Sequence, residues 1–251
     1  MAEMARKIVP LVLHRIVPDG CGAGFEDVEV SMLRRIVEVC RGRCVSLCAP
    51  TVQDGGRYLL TFDDGNASDL EIALPLLKQM DCTATFFIVT GRIGTPHHLS
   101  WAQVRELHEA GMTIGSHSVS HPDMGKLDAD GQREELLASR LHIEDELGAA
   151  VTAFSFPFGK FNDGLVGLVR EAGYSVACTS RHGVSDFSAS LLPRNSINGS
   201  MPWAAVSRTL KATPLTRCGW LLEDMAKDSA RRVMGDEVYR AMRSLVTGGW
   251  K

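Results

Sequence analysis

Two clusters in this 251-residue chain hold residue types that can carry out metal-assisted hydrolysis. The first is Leu59-Leu60-Thr61-Phe62-Asp63-Asp64-Gly65, an apolar run that ends abruptly in two adjacent acids and a glycine. If the run is a parallel strand of an α/β fold, its C-terminal end faces the active-site mouth. Two neighbouring carboxylates repel unless a cation shares them, so a bound metal would let one ligate while the other stays free as a base. An Asp-Asp-Gly turn with solvated acids satisfies the same residues, and the local sequence leaves both readings open. The second cluster is Gly115-Ser116-His117-Ser118-Val119-Ser120-His121-Pro122. Two histidines four positions apart point the same way when the backbone between them is helical or tightly turned, and neutral imidazoles suit zinc and related divalent ions. Surface histidines in a loop are the alternative, weakened by the coincidence of paired acids and paired imidazoles, each at a strand end. One carboxylate, two imidazoles and open coordination positions describe a catalytic centre, because a closed structural zinc site takes four protein ligands.

The elements that must position these residues follow from hydrophobic periodicity. Residues 7–17 read as a β-branched strand ending at the Pro18-Asp19-Gly20 turn, with His14 near its C-terminal end. Helical spacing of Phe25, Val28, Met32, Leu33, Ile36 and Val37 predicts a helix that Gly42 stops, then a strand at 45–47 and a loop over 50–56. Strands at 57–62, 83–89, 112–115, 151–156 and 175–179 alternate with helices at 68–80, 100–110, 130–147 and 163–172. Ser68 and Ser100 are expected N-caps and Gly111 a helix stop. Strict strand–helix alternation implies parallel strands with helical crossovers, hence an α/β sheet or barrel. Beyond Pro193 no strand is evident; helical stretches at 204–210, 220–234 and 237–246 read as an appendage that packs on the domain or a partner. His97, His98, His108, His142 and His182 read as surface residues, and His14, by position alone, as a histidine satisfied within the core.

Composition excludes several function classes. A content of 45% hydrophobic and 23% charged residues gives no ground for disorder or a fibrous repeat. A formal net charge of -3 with both signs distributed offers no footprint for nucleic acid or an anionic membrane surface. No apolar run reaches the length of about 18 residues needed for a membrane span, and Pro10, His14 and Arg15 interrupt the only N-terminal candidate for a secretory segment. Seven cysteines, an odd number without Cys-x-x-Cys pairing, read as reduced thiols, with Cys40, Cys44 and Cys48 packing rather than binding metal. The expected compartment is the cytoplasm, unless a leader has been removed.

With these residues in place, the chain resembles the polysaccharide deacetylases of carbohydrate esterase family 4, the NodB-like domain. Thr61-Phe62-Asp63-Asp64-Gly65 matches its first motif, His117-Ser118-Val119-Ser120-His121 its second and Phe154-Ser155-Phe156-Pro157-Phe158-Gly159 its third; Ala84-Thr85-Phe86-Phe87 and the residues leading into His117 look like its connecting segments. The likeness runs over roughly residues 7–195. It implies an α/β fold of the distorted (β/α) barrel type, divided here into a catalytic domain at 1–200 and a C-terminal helical extension at 201–251. It implies a divalent metal, usually zinc, held by Asp64, His117 and His121, with Asp63 as general base and the Phe158 backbone N–H as an oxyanion donor. The implied reaction removes N-acetyl groups from amino sugars of a polysaccharide, oligosaccharide or carrier-linked precursor.

Two departures accompany the match. Ser155 stands where the third motif usually has an arginine, so the contact that orients the base carboxylate must be absent or come from elsewhere. The usual late Leu-x-His is replaced by Leu191-Leu192-Pro193-Arg194-Asn195. An exopolysaccharide-modifying subgroup shares this pattern, and there a histidine on an N-terminal strand takes over as general acid; Leu11-Val12-Leu13-His14-Arg15-Ile16-Val17 looks like that strand, which makes His14 the candidate acid. Other readings are hydrolysis of another small amide or cyclic imide, and a degenerate sugar-binding module without activity. The sequence leaves the oligomeric state open.

Overall fold

The computed structural model describes residues 7–21, 24–47, 56–186, 190–235 and 238. Eight parallel strands form one curled sheet: β1 (Val9–Leu13), β4 (Tyr58–Phe62), β5 (Thr85–Ile88), β6 (Thr113–Ser116), β7 (Ala153–Ser155), β8 (Val176–Cys178), β9 (Leu191–Leu192) and β10 (Asn195–Ser196). Their spatial order is β10-β1-β4-β5-β6-β7-β8-β9. A separate two-stranded sheet pairs β2 (Ile16–Val17) with β3 (Val28–Glu29). The helices are α1 (Val30–Cys40), α2 (Leu74–Gln79, preceded by a wider π-helical turn at Asp69–Ala73), α3 (Trp101–Glu109), α4 (Ala129–Leu147), α5 (Asp163–Glu171), α6 (Trp203–Lys211) and α7 (Pro214–Met234). This is the parallel α/β barrel that strand–helix alternation implied.

The two edges of the sheet are consecutive in sequence. β9 pairs with β8 and β10 pairs with β1, and only Pro193 and Arg194 lie between them. One short segment therefore leaves one edge, turns, and joins the other, closing the ring. The sequence reading found no strand here because four pairing residues, broken by a proline, carry no periodic signal.

Alternation along the strands explains what faces the mouth. In β4, Tyr58, Leu60 and Phe62 belong to the large outer core packed under the helices, whereas Leu59 belongs to the smaller inner cluster with Phe87, Ala153, Cys178 and Leu192. With a side-chain period of two, the inner face runs Leu59, Thr61, Asp63 on β4, Thr113, Gly115, His117 on β6 and Ala153, Ser155 on β7. The same parity on β1 runs Val12 to His14. One residue beyond β1, β4 and β6 the inner position is thus polar, as is Ser155 at the end of β7, all at the same end of the barrel. Gly115 is required by space: a Cβ there would lie 2.5 Å from the Phe87 ring.

Several expectations need correction. The strand expected over 7–17 is interrupted at His14 and Arg15, where the chain leaves the barrel and starts the small sheet. The first helix begins at Val30, because Phe25 lies ahead of it and Val28 is a strand residue bonded to Ile16. Residues 45–47 form no strand beyond a single parallel bridge of Cys44 to Tyr58, beside which Val45 N–H donates to Tyr58 O; Val45 and Leu47 bury in the inner cluster, and that packing accounts for their apolar character. Ser68 does not cap a helix; its hydroxyl accepts from Ile16 N–H. Ser100 does cap, in a reciprocal box with Gln103, and Gly111 stops the helix with φ +83°. The C-terminal helix starts at Pro214 rather than 220, and the helix expected at 237–246, but for Val238, and the loop at 50–56, but for Gly56, lie outside the described residues. α6 buries Val206 and Leu210 in the same outer core as the strands.

Candidate active site

Asp63 and Asp64 follow β4 directly, and the backbone turns sharply there: Asp64 has φ +80° and Gly65 φ +69°. Left-handed backbone at a non-glycine costs energy and persists where the surroundings over-determine it. The twist sends the two carboxylates in different directions, Asp63 into the barrel and Asp64 toward the loop after β6. In that loop Ser118 (φ +69°) and His121 (φ +59°) are also left-handed. Glu135 of α4 fixes the turn by accepting from Val119 N–H (2.8 Å), Ser120 N–H (2.9 Å) and the Ser120 hydroxyl (2.6 Å), while Ser118 Oγ accepts from His121 N–H. The two histidines therefore converge through a tight turn, not a helix.

His121 Nε2 lies 3.2 Å from His117 Nε2 and 3.5 Å from Asp64 Oδ1, and His117 Nε2 lies 3.9 Å from the same Oδ1. These three ligand atoms fall within 4.8 Å of one another. Ligands about 2 Å from a tetrahedral ion sit roughly 3.3 Å apart, so the set has the size of a zinc-like site. His117 Nδ1 is 2.8 Å from Ser155 O, so that nitrogen donates and Nε2 carries the lone pair facing His121. Burial, more than offsetting Asp63 and Asp64, pushes the His117 imidazolium below its ordinary range. Burial and then the charge of His117 push His121 down to about 4. Both rings are thus neutral near pH 7, and their contacts with carboxylates are not ion pairs. Two imidazole nitrogens and a carboxylate oxygen this close together form a donor set that a divalent cation fits, with the proton displaced from His121 Nε2. Arg92 Nη1 also reaches Asp64 Oδ1 at 3.1 Å from the half-exposed rim.

Asp63 stands beside this set, with Oδ2 3.8 Å from His117 Nε2. Its orienting partner is a residue the sequence reading passed over. Arg194, fully buried at the closure between β9 and β10, donates to both Asp63 oxygens at 2.7 Å. The guanidinium further donates to Ser155 Oγ (2.7 Å), Thr61 Oγ1 (3.0 Å) and Thr179 O (3.1 Å), and lies 5.3 Å from the Phe87 ring centre. Ser155 Oγ in turn donates to Asp63 Oδ2 at 3.0 Å. The arginine missing from the third motif is therefore supplied from the far end of the chain, and Ser155 leaves room for it. Burial alone would push Asp63 up; the charge of Arg194, then that of His117, holds it well below the usual carboxylate range.

His14 sits half-buried one residue past β1 and lines the same groove, close enough for its charge to act on Asp63 and Asp64. Phe158, with φ +58°, presents its ring edge-on to His121 at 4.7 Å and is 44% exposed to the groove. Gly159 beside it has φ +63°, and a Cβ there would meet Ser180 at 2.6 Å. Asp69 is fully buried, with no well-formed hydrogen bond to either carboxylate oxygen among the described residues; burial, then the charge of Asp64, outweighs the nearby Asn66 backbone N–H and pushes it well above the usual range.

The six described cysteines carry free thiols; Cys40 and Cys82 are buried and Cys44 partly so, while Cys48 lies outside the described residues. Among the described residues no helix is long and apolar enough to cross a membrane.

Fold and site together define a parallel α/β barrel with an Asp-His-His donor set and a second carboxylate at the C-terminal mouth of its strands. Residues 52–177 match the polysaccharide deacetylase family, and the chain belongs to it. The Bacillus subtilis (strain 168) protein YxkH is 30% identical over 127 residues, 51% of this chain and 46% of that protein. A Bacillus cereus peptidoglycan-N-acetylglucosamine deacetylase is 26% identical over 152 residues, 59% of this chain and 53% of that one. The chain thus spans about half the length of these curated relatives. The Streptococcus pyogenes deacetylase PplD superposes with a TM-score of 0.73 at 23% identity, over 81% of this chain and 98% of that one, which establishes the shared fold.

Proposed function

We propose that this chain is a metal-dependent hydrolase that removes N-acetyl groups from amino sugars of a glycan. The observation that carries the reading is the Asp64, His117 and His121 donor set with Asp63 held beside it, in a member of the polysaccharide deacetylase family. The name of the Bacillus cereus relative supports an N-acetylglucosamine unit as the group acted on.

Asp64, His117 and His121 would hold the cation, most simply zinc, which supplies Lewis-acid polarisation of the amide carbonyl and lowers the pKa of water. Asp63 takes the proton of the attacking water; Arg194 and Ser155 keep that carboxylate ionised and aimed. The Phe158 backbone N–H donates to the oxygen that becomes negative as the tetrahedral carbon forms. His14 gives a proton to the departing sugar amine, a poor leaving group when unprotonated. The segment at 201–251 belongs with the catalytic part at 1–200 as an extension, whose described part packs on it through α6 and lines its groove through α7, and the free thiols of the described cysteines favour the cytoplasmic side.

The test is acetate release by zinc-loaded protein from N-acetylglucosamine and its oligomers. Release that disappears with chelator and returns with metal supports the proposal; no release from any N-acetylated sugar, by protein shown to bind zinc, overturns it.

A further inference from the structure

The groove over the metal-type site does not end there. A continuous cavity of about 1140 Å³ runs from His14, Asp64 and His121 past Phe158 to His182 and helix α7. That exceeds the roughly 300–1,000 Å³ of sites for a single drug-sized ligand, and is several times what one sugar ring needs.

Helix α7 forms the far wall in an unusual orientation. Thr216, Trp220, Asp224, Lys227 and Asp228, at helical spacing, line the cavity. Leu221, Leu222 and Met225, each more than half exposed, point elsewhere. A packing helix ordinarily turns its apolar stripe inward; here the stripe facing the groove is mostly polar, Leu215 and Trp220 excepted, as suits a polyhydroxyl ligand that also stacks on an aromatic ring.

Within that wall one imidazole is fixed with particular care. His182 follows β8 by four residues, on the loop whose Thr179 O accepts from Arg194. Both carboxylate oxygens of Asp224 are engaged by His182: one accepts from its backbone N–H at 2.9 Å, the other lies 2.8 Å from ring Nδ1. The ring stacks nearly parallel to the buried Trp220 indole, with 16° between the planes and 6.1 Å between the centroids. Nδ1 thus carries the proton, and in the neutral ring Nε2 is left as an acceptor; the side chain is 15% exposed. Arg181 and Asp228, 3.2 Å apart, tie the same loop to the same helix at a more exposed position.

We propose that His182 and Asp224 form a hydroxyl-binding subsite in the wall made by α7, which accepts a sugar ring adjoining the one presented to Asp63. His182 Nε2 hydrogen-bonds a sugar hydroxyl, and the Asp224 carboxylate fixes the ring that presents it. The inference rests on the glycan reading above.

The experiment is calorimetric titration of the full chain, stripped of metal so that nothing turns over, with N-acetylglucosamine and with its β-1,4- and β-1,6-linked tetramers. One tetramer should bind wild type at least about tenfold more tightly than the monomer, an increment of about 1.4 kcal/mol. His182→Asn keeps a donor at the Nδ1 position but removes Nε2; it should retain the wild-type melting temperature and collapse the tetramer-to-monomer ratio toward one. Glu146→Gln loosens only the tie to Arg105, away from the groove, and should retain the ratio. A wild type without the increment, a ratio unaffected in His182→Asn, or a ratio lost equally in Glu146→Gln overturns the subsite. Acetate release from the monomer together with any of those results sinks the subsite alone, whereas no sugar bound and no acetate released sinks the glycan reading with it.

Discussion

Replacing Arg194 by Met tests whether this residue holds the proposed base. The side chain is fully buried and makes five hydrogen bonds, two of them to Asp63 at 2.7 Å. Met fills a similar volume but leaves a buried carboxylate with the Ser155 hydroxyl as its one remaining donor among these contacts. Removing one partner of a buried pair costs about 3–5 kcal/mol, a large share of the roughly 5–15 kcal/mol by which domains are stable. Urea unfolding of metal-free protein at pH 7 should show that loss. Without Arg194, burial acts on Asp63 against weaker opposition and raises its pKa, so the loss should shrink as the pH falls and the carboxyl protonates. The double variant Asp63→Asn/Arg194→Met removes both charges and should recover most of the stability. Acetate release by whatever Arg194→Met folds should fall on the order of a hundredfold, since misplacing a catalytic group by about 1 Å has that effect. Arg194→Lys keeps the charge without the planar fork, and should recover more stability than rate. A loss under about 1 kcal/mol in Arg194→Met, or a double variant as unstable as the two single losses added, would show that Arg194 is not the counter-ion of Asp63.

Three further perturbations follow from the same geometry. Asp69 has its folded-state pKa raised, so its contribution to stability is full below the unfolded value of about 3.9 and is lost as pH rises toward the folded value. In metal-free protein Asp69→Asn should therefore gain on wild type by up to about 1.4 kcal/mol per pH unit across that window; parallel unfolding curves at every pH contradict the raised value. Gly115→Ala places a methyl against the Phe87 ring and through it against Arg194; unfolding should show a loss of about 1–3 kcal/mol, and an unchanged midpoint would mean that the inner cluster yields freely. His14→Ala should lower the rate on an N-acetyl sugar about a hundredfold or more while sparing an aryl acetate, whose leaving group needs no proton; equal losses on both substrates rule out the acid role.

The first two motifs were legible because their chemistry is local. An apolar run of period two fixes which positions face the barrel interior, so Thr61 leads to Asp63 and Gly115 to His117 without tertiary information. Ser100 and Gly111 were legible as helix ends for the same reason. Arg194 was not, because its role depends on two-residue strands β9 and β10 meeting opposite edges of the sheet, which no window of sequence reveals. Its signal was indirect: the serine at 155 required an arginine from somewhere, and Arg194 stood in the segment that replaced the late histidine motif. His182 read as a surface residue because its partner Asp224 is 42 residues away on a helix whose polar face points inward. Residues 45–47 read as a strand because buried apolar residues look alike whether or not their backbone joins a ladder.

The most direct test of the central claim is metal content measured beside acetate release for wild type, Asp63→Asn, Asp64→Asn and His117→Ala. Wild type should hold one divalent ion per chain and release acetate. Asp63→Asn should keep the ion and lose release, and the other two should lose both. Full occupancy in Asp64→Asn and His117→Ala, or undiminished release from Asp63→Asn, would contradict the assignment of three side chains to the cation and the fourth to the proton.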